Sequence, residues 1–94
     1  MNSTDEQLAE LLTLTCEVDK YGTIRYRNSE AELHRLYGPA IVWQDGTKCW
    51  CQDGKIHRSD GPAIVYQNAV ESWYLNGTFL SKEQWAQHMR CKRD

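Results

Sequence analysis

The sequence predicts a mainly β fold with short terminal helices (α+β), in which an antiparallel meander of about six strands is built from hairpin repeats. Three observations support this prediction. One segment recurs 23 residues later, with ten of 21 aligned positions identical. Runs of β-branched and aromatic residues alternate with turn signals. Helix-capping patterns stand near both ends of the chain.

The composition bounds the size and the chemistry of this fold. A chain of 94 residues supports one domain, because a second core would leave each half near the lower limit for folding alone. Leu, Ile, Val and Phe supply only 17 residues, so the four Trp and five Tyr must provide much of the buried area. We therefore expect a small, aromatic core. The net charge of −2 disfavours a strongly basic nucleic-acid binder and a highly acidic DNA mimic.

No segment has the pattern of a membrane span or a signal peptide. The longest apolar runs fall far short of the roughly 20 residues that a span needs. An even number of cysteines in a short chain could form two disulfides. Without a signal peptide we expect a cytoplasmic protein without a membrane partner, in which the four cysteines remain free thiols. Cys49 and Cys51 flank Trp50, so on a strand they share one face and cannot readily bridge each other.

The single domain, 1–94, is expected to comprise an N-terminal helix (1–13), β-hairpin repeats (14–80) and a C-terminal helix (81–91). In the first helix, Ser3 or Thr4 can serve as the N-cap. Its apolar stripe contains Leu8, Leu11 and Leu12 and is a candidate cover for the sheet.

A leading hairpin follows the first helix. Its strands are expected at 14–18 and 23–27, joined by the turn Asp19-Lys20-Tyr21-Gly22.

The repeat itself begins with His-Arg-x-x-Gly-Pro-Ala-Ile-Val, at His34 and again at His57. The match extends to Gly54 in the first copy and Gly77 in the second. A degenerate earlier copy spans 23–31.

Each copy predicts two strands joined by a tight turn. A two-residue turn at Asp45-Gly46 would pair Ile41 with Trp50 and Trp43 with Lys48. By the same rule, a turn at Asn68-Ala69 would pair Ile64 with Trp73 and Tyr66 with Glu71 in the second hairpin. Ala69 is a poorer turn residue than Gly46.

These pairings place the side chains on two faces. One is an aromatic face with two charged residues at its margin, made of Ile41, Trp43, Trp50, Ile64, Tyr66 and Trp73 together with Lys48 and Glu71. The other face is made of Ala40, Val42, Cys49, Cys51, Ala63, Val65 and Tyr74. Both are too apolar to remain fully exposed, so we expect the terminal helices to cover at least one of them.

The C-terminal helix has a complete start signal. Ser81 and Gln84 form a capping box, and Leu80 with Trp85 forms the matching hydrophobic staple. Trp85 and Met89 then lie on one side of the helix, which is the side expected to pack.

The His-Arg-x-x-Gly-Pro-Ala element allows a catalytic and a structural interpretation. His34 and His57 could be acid–base groups, with Asp60 orienting the second imidazole. In the structural interpretation Gly38 and Gly61 permit unusual backbone angles and the following prolines stiffen the next strand. Repetition favours structure, since an active site is rarely duplicated with the period of a fold. The first copy also has Tyr37 in place of Asp60.

Other catalytic patterns are absent from the sequence. It contains no nucleophile elbow, no glycine-rich phosphate loop and no carboxylate cluster suited to hydrolysis. We therefore expect no enzymatic activity and no cofactor.

A zinc site is an alternative that the sequence leaves open. Cys49, Cys51 and His57 offer suitable ligands, and a fourth could come from Cys16, Cys91 or His34. Only one closely spaced pair exists, and its equivalents in the second copy are Ser72 and Tyr74. Buried thiols that pack as small apolar groups are therefore expected, with no metal.

The aromatic face is either core or a binding surface. Trp and Tyr are the residues that most often anchor protein interfaces. The candidate protein-binding residues are Trp43 and Tyr66, one repeat apart, with Lys48 and Glu71 beside them. Stacking of single-stranded nucleic acid with Arg25, Arg27 and Lys48 is the alternative, which the acidic N-terminal half disfavours.

The repeated Gly-Pro-Ala-Ile-Val-(Trp/Tyr)…Trp…(Asp/Asn)-Gly…His-Arg pattern resembles MORN-like repeats of the YwqK type, in the short His-Arg-x-Asp-Gly-Pro-Ala form found in phage and prophage proteins. The resemblance covers Gly22 to Leu80. The sequence departs from the pattern at Tyr37, Ala69 and Ala31. The resemblance implies hairpin repeats, protein interaction and no catalytic residues.

By analogy with small phage proteins, the expected function is a non-catalytic protein-binding module that inhibits a host or defence complex, as anti-CRISPR proteins do. The expected location is then the host cytoplasm. The alternative is a small zinc-binding or nucleic-acid-binding module.

Overall fold

A computed structural model describes residues 3–92 and places nine short strands between two helices. Helix α1 spans Ser3–Thr13 and helix α2 spans Lys82–Lys92. The strands are β1 Thr15–Val18, β2 Ile24–Arg27, β3 Ile41–Val42, β4 Lys48–Cys49, β5 Cys51–Gln52, β6 Lys55–Ile56, β7 Ile64–Val65, β8 Glu71–Leu75 and β9 Thr78–Leu80. The prediction of a mainly β fold with short terminal helices is confirmed. Within the described part of the chain, no helix is long and apolar enough to span a membrane.

Seven strands form one antiparallel sheet in the order β1-β2-β3-β4-β7-β8-β9, and β5 pairs with β6 in a separate ribbon. The expected six-stranded meander is not confirmed. The strand that returns from the turn at Asp45-Gly46 is divided at Trp50, whose backbone N–H donates to Ala63 at 2.7 Å instead of continuing the first ladder. The additional strands β6 and β9 follow tight turns that the sequence analysis missed.

Those missed turns are two-residue loops at 53–54 and 76–77. All four loop residues have positive φ, with 51° and 80° in the first loop and 50° and 84° in the second. Asp-Gly and Asn-Gly are the sequences that this backbone geometry favours. Each repeat therefore contains two turns, where one was expected.

The other turn of each repeat has three loop residues where two were predicted. In the first repeat, Trp43 N–H donates to Thr47 at 2.9 Å and Gly46 adopts a φ of 94°. The ladder then pairs Ile41 with Cys49, so the predicted pairing of Ile41 with Trp50 is wrong. A slip of one residue transfers every side chain of the returning strand to the opposite face.

The second repeat shows the same slip. Ile64 pairs with Ser72, which overturns the predicted pairing of Ile64 with Trp73. Its loop closes with Tyr66 N–H donating to Val70 at 2.8 Å, and Ala69 takes the left-handed conformation at a φ of 70°. Ala69 thus occupies the position that Gly46 holds in the first repeat.

A three-residue loop also occurs in the degenerate copy, where Asn28 N–H donates to Glu32 at 2.9 Å and Ala31 has a φ of 64°. This loop precedes His34 as the two-residue turn at 53–54 precedes His57. The degenerate copy therefore has one more loop residue at this place than the later repeats have.

The core is small, but it is not aromatic as expected. Its main cluster consists of buried Ala40, Ile41, Cys49 and Cys51. Ala63 and Leu75 are also buried, and all four Trp side chains are only half-buried. Small residues therefore form most of the centre, and Leu33, Trp43, Ile56 and Ile64 pack against it.

The two helices contribute unequally to the core. Ser81 and Gln84 form the predicted reciprocal capping box, with backbone-to-side-chain distances of 2.9 and 3.1 Å. Over residues 82–90, where the burial of the side chains of α2 is described, Trp85 and Met89 are the half-buried ones, as predicted.

In α1 the apolar stripe does not cover the sheet as expected. Leu8, Leu11 and Leu12 are all exposed. The helix is instead held through Glu10, whose carboxylate accepts hydrogen bonds from the backbone N–H groups of Leu36 at 2.7 Å and Tyr37 at 3.2 Å. The proposed N-caps Ser3 and Thr4 have side chains outside the described part of the chain.

Candidate protein-binding site

The two repeated histidines bind the backbone of the two-residue turn at the end of their own repeat. Nδ1 of His34 accepts a hydrogen bond from Asp53 N–H at 3.0 Å, and Nδ1 of His57 accepts one from Asn76 N–H at 2.9 Å. Both pairs are separated by 19 residues and related by the 23-residue repeat. This geometry gives each imidazole a structural task that explains its repetition.

The repeated arginines stack on aromatic rings. The guanidinium of Arg58 lies 3.8 Å from the ring centroid of Trp50. Its Nε donates to Asp60 at 2.8 Å and its Nη1 donates to the carbonyl of Pro62 at 3.0 Å. Asp60 therefore pairs with Arg58, while the imidazole of His57 receives its hydrogen bond from Asn76.

Gly38 and Gly61 are required for a reason other than the predicted one. Neither has positive φ. A Cβ on Gly61 would lie 2.9 Å from Cζ of Arg58, and a Cβ on Gly38 would lie equally close to Cζ of Arg35. The glycines leave the space into which each guanidinium packs.

The first repeat lacks one of these contacts. Arg35 stacks on Tyr26, with 4.3 Å between Cζ and the ring centroid. Its Nε is buried and has no hydrogen-bond partner. Tyr37 stands where the second repeat has Asp60, which accounts for the missing acceptor.

At the end of the second repeat, the ring of Trp73 is covered by a residue of helix α2 and not by an arginine. Trp85 packs on Trp73 with ring centroids 4.6 Å apart, and its Nε1 donates to the carbonyl of Arg58 at 3.0 Å. The repeat array therefore ends against a tryptophan that contacts both the beginning and the later part of the second repeat.

The buried thiols of Cys49 and Cys51 contact each other, with 3.6 Å between the sulfur atoms. Their hydrogen bond raises the pKa of Cys49, which burial raises further, and it lowers the pKa of Cys51. Both are free thiols, as is the exposed Cys16.

The structure does not assemble the proposed zinc ligands among its described residues. Within that part of the chain, no three Cys, His, Asp or Glu side chains come together as a metal site. The side chain of Cys91 lies outside the described residues.

An open groove of about 580 Å³ crosses the sheet at the tips of the turns. We call it the aromatic groove. It is lined by Tyr21, Thr23, Trp43, Gln44, Asp45, Thr47, Ile64 and Tyr66. Three turns that are distant in sequence supply its walls, because the strands leading to them are neighbours in the sheet.

The structure brings together two of the four candidate residues. Trp43 and Tyr66 both line the aromatic groove. Trp43 is half-buried against the core cluster, whereas Tyr66 is 40% exposed. Trp43 is thus less exposed than expected.

Lys48 and Glu71 occupy the opposite face. Lys48 pairs with Val42 and with Val65, and Glu71 pairs with Val65. Residues paired across strands share a face, and successive residues alternate, so neither charge lies beside Trp43 or Tyr66. The expected placement of these two charges beside the aromatic pair is therefore wrong.

Five residues of the groove were not predicted from the sequence: Tyr21, Thr23, Gln44, Asp45 and Thr47. All five lie in turns or directly beside them, and their proximity depends on which strands are neighbours. Asp45 was noted only as a turn residue. Its Oδ1 accepts a hydrogen bond from Thr47 N–H at 2.9 Å, and contacts with Thr47 hold the pKa of Asp45 below its usual value.

The chain was compared with protein-family models, with curated proteins and with solved structures, and none of the three comparisons gave a match.

Proposed function

We propose that the protein is a non-catalytic binding module of MORN-like hairpin repeats and that it binds another protein through the aromatic groove. The observation that carries the proposal is the groove itself. Three aromatic side chains and Ile64 line an open concave surface at the ends of several strands. Protein interfaces take most of their binding energy from a few aromatic or Arg residues in such positions.

The rigidity of the groove supports this function. Its walls are short turns closed by backbone hydrogen bonds of 2.8 to 3.0 Å at Trp43 and Tyr66. Short loops of this kind lose little conformational entropy when they bind, which favours affinity. The repeated His and Arg side chains are occupied by contacts within the fold, which favours binding over acid–base catalysis.

The proposed partner class comes from the resemblance of the repeats. Short repeats of this form occur in phage and prophage proteins, and small proteins of that origin often inhibit host or defence complexes. We propose a partner of that class and a cytoplasmic site of action.

The test is affinity capture from a bacterial lysate with wild-type protein and two variants. Tyr66→Ala removes a ring from the aromatic groove. Tyr37→Ala is the matched control, because Tyr37 is 41% exposed and lies outside the groove. We expect the captured protein to be lost with Tyr66→Ala and retained with Tyr37→Ala. Equal capture by both variants would contradict the proposed site.

A further inference from the structure

The aromatic groove combines rings with one negative charge. Asp45 is its only acidic residue, and none of its eight lining residues is basic. A second, smaller groove of about 400 Å³ shares Asp45, Thr47 and Tyr66 with it and also has no basic lining residue. Asp45 therefore lines two concave surfaces that have no basic residue among their lining residues.

The carboxylate of Asp45 is available to a ligand. Among the described residues, no Lys, Arg or His forms an ion pair with it. Hydrogen bonds from the backbone N–H and the side chain of Thr47 lower the pKa of Asp45, and neither of these groups carries a positive charge.

The chain itself shows what a ring and a carboxylate hold when they are placed together. At Trp50, the guanidinium of Arg58 stacks on the indole at 3.8 Å and pairs with Asp60 at 2.8 Å. The aromatic groove has the ring and the carboxylate of this arrangement and lacks the guanidinium. Stacking on an aromatic face and pairing with a carboxylate are both contacts that arginine makes well.

We propose that the aromatic groove receives an arginine side chain of the partner protein, with its guanidinium against Trp43 and Tyr66 and paired with Asp45. This inference rests on the proposed function and names the chemistry of its partner. Tyr21 is not assigned to the guanidinium, because Nζ of Lys20 already lies 5.1 Å from the centroid of that ring.

The test uses a small probe, so that it does not depend on finding the partner. Acetyl-arginine amide is titrated into the full-length protein while NMR follows the indole N–H of Trp43 and the backbone N–H groups of Gly46 and Ala69. The control probe is acetyl-citrulline amide, which has nearly the same shape and no charge. We expect saturable shifts with the arginine probe and about five- to tenfold weaker binding of the citrulline probe.

Two matched variants test the ion pair. Asp45→Asn keeps the turn, because Asn68 holds the equivalent position one repeat later and accepts the same hydrogen bond, from Val70 N–H at 3.1 Å. Asp53→Asn removes one charge from another turn, where the next repeat has Asn76. We expect Asp45→Asn to weaken binding of the arginine probe about fivefold and Asp53→Asn to leave it unchanged.

Three results would overturn the inference: equal affinity for the arginine and citrulline probes, equal effects of the two Asn variants, or tighter binding of acetyl-leucine amide than of acetyl-arginine amide. The last result would assign the groove to an apolar side chain. None of these outcomes alters the capture experiment, which compares Tyr66→Ala with Tyr37→Ala. A groove that binds partner protein but not arginine would therefore retain the proposed function and refute this inference.

Discussion

His34 accepts a hydrogen bond from the backbone N–H of Asp53, with 3.0 Å between Nδ1 and the amide nitrogen. The contact joins the start of the first repeat to the two-residue turn at its end. It is accompanied by a backbone hydrogen bond from Arg35 to Cys51 at 3.0 Å, and the second repeat has the counterpart from Arg58 to Tyr74 at 3.3 Å. The His-Arg element is therefore the connection between the start and the end of each repeat.

The first prediction concerns that connection. His34→Ala leaves the backbone N–H of Asp53 without its acceptor, so we expect the free energy of unfolding to fall by about 1–2 kcal/mol. His88→Ala is the control, because His88 is exposed on α2 and should change stability by less than about 0.5 kcal/mol. Urea denaturation measures both, and equal effects would show that the contact contributes nothing specific.

The repeat could be predicted from the sequence, but its register could not. Period and composition identify the strands around Ile41 and Ile64 without knowledge of the turn. The register depends on whether Gly46 is the second residue of a two-residue loop or the third of a three-residue loop, and both loops accept glycine there. That single residue decides whether Cys49 or Trp50 shares the face of Ile41.

The second prediction follows from the left-handed conformation of Ala69. A residue with a Cβ is strained at a φ of 70°, and the equivalent position in the first repeat is Gly46. We expect Ala69→Gly to raise the free energy of unfolding by about 1 kcal/mol. Ala86→Gly, at an exposed position inside α2, should lower it by about 1 kcal/mol. Thermal denaturation of both variants checks the opposite signs, and a loss of stability in Ala69→Gly would contradict the assigned turn.

The candidate site, like the repeat, could be predicted only in part from the sequence. The aromatic pair Trp43 and Tyr66 could be selected because the two residues are equivalent in the repeat. Their charged neighbours could not, since a shift of one position moves Lys48 and Glu71 to the other face. Asp45 belongs to the groove because the loop that carries it projects beyond the ladder, which no spacing in the sequence encodes.

The third prediction tests why Gly61 is glycine. Gly61→Ala would bring a Cβ within 2.9 Å of Cζ of Arg58 and displace the guanidinium from Trp50 and Asp60. We expect a loss of about 1–2 kcal/mol in the free energy of unfolding. In an Arg58→Ala background the same change should cost much less, because the clash is gone. A double-mutant cycle without coupling would show that the glycine serves the backbone alone.

The fourth prediction separates the cap of α2 from its packing. Ser81→Ala removes the acceptor for Gln84 N–H and should cost about 0.5–2 kcal/mol. Trp85→Ala removes the contact with Trp73 and the hydrogen bond to Arg58, so we expect a larger loss of about 3 kcal/mol. Negligible changes in melting temperature for both variants would mean that α2 does not stabilise the sheet.

The last prediction concerns the two rings of the aromatic groove, which differ in what they support. Trp43 packs against the cluster of Ala40, Ile41, Cys49 and Cys51, whereas Tyr66 lies outside that cluster and is 40% exposed. We expect Trp43→Ala to lower the free energy of unfolding by about 2–3 kcal/mol. Tyr66→Ala should lower it by less than about 1 kcal/mol, because an exposed ring loses little on truncation.

The difference between the two rings decides how binding should be tested. A loss of partner in Trp43→Ala can arise from destabilisation, so Trp43→Phe, which retains an apolar ring, is the better probe of that position. Tyr66→Ala changes the groove while the fold remains stable, and its loss of partner would therefore report on binding itself. Urea denaturation of Trp43→Ala, Tyr66→Ala and wild type measures the loss in the free energy of unfolding. If Tyr66→Ala destabilises the fold as much as Trp43→Ala does, Tyr66 belongs to the core and the groove must bind through Tyr21 and Asp45.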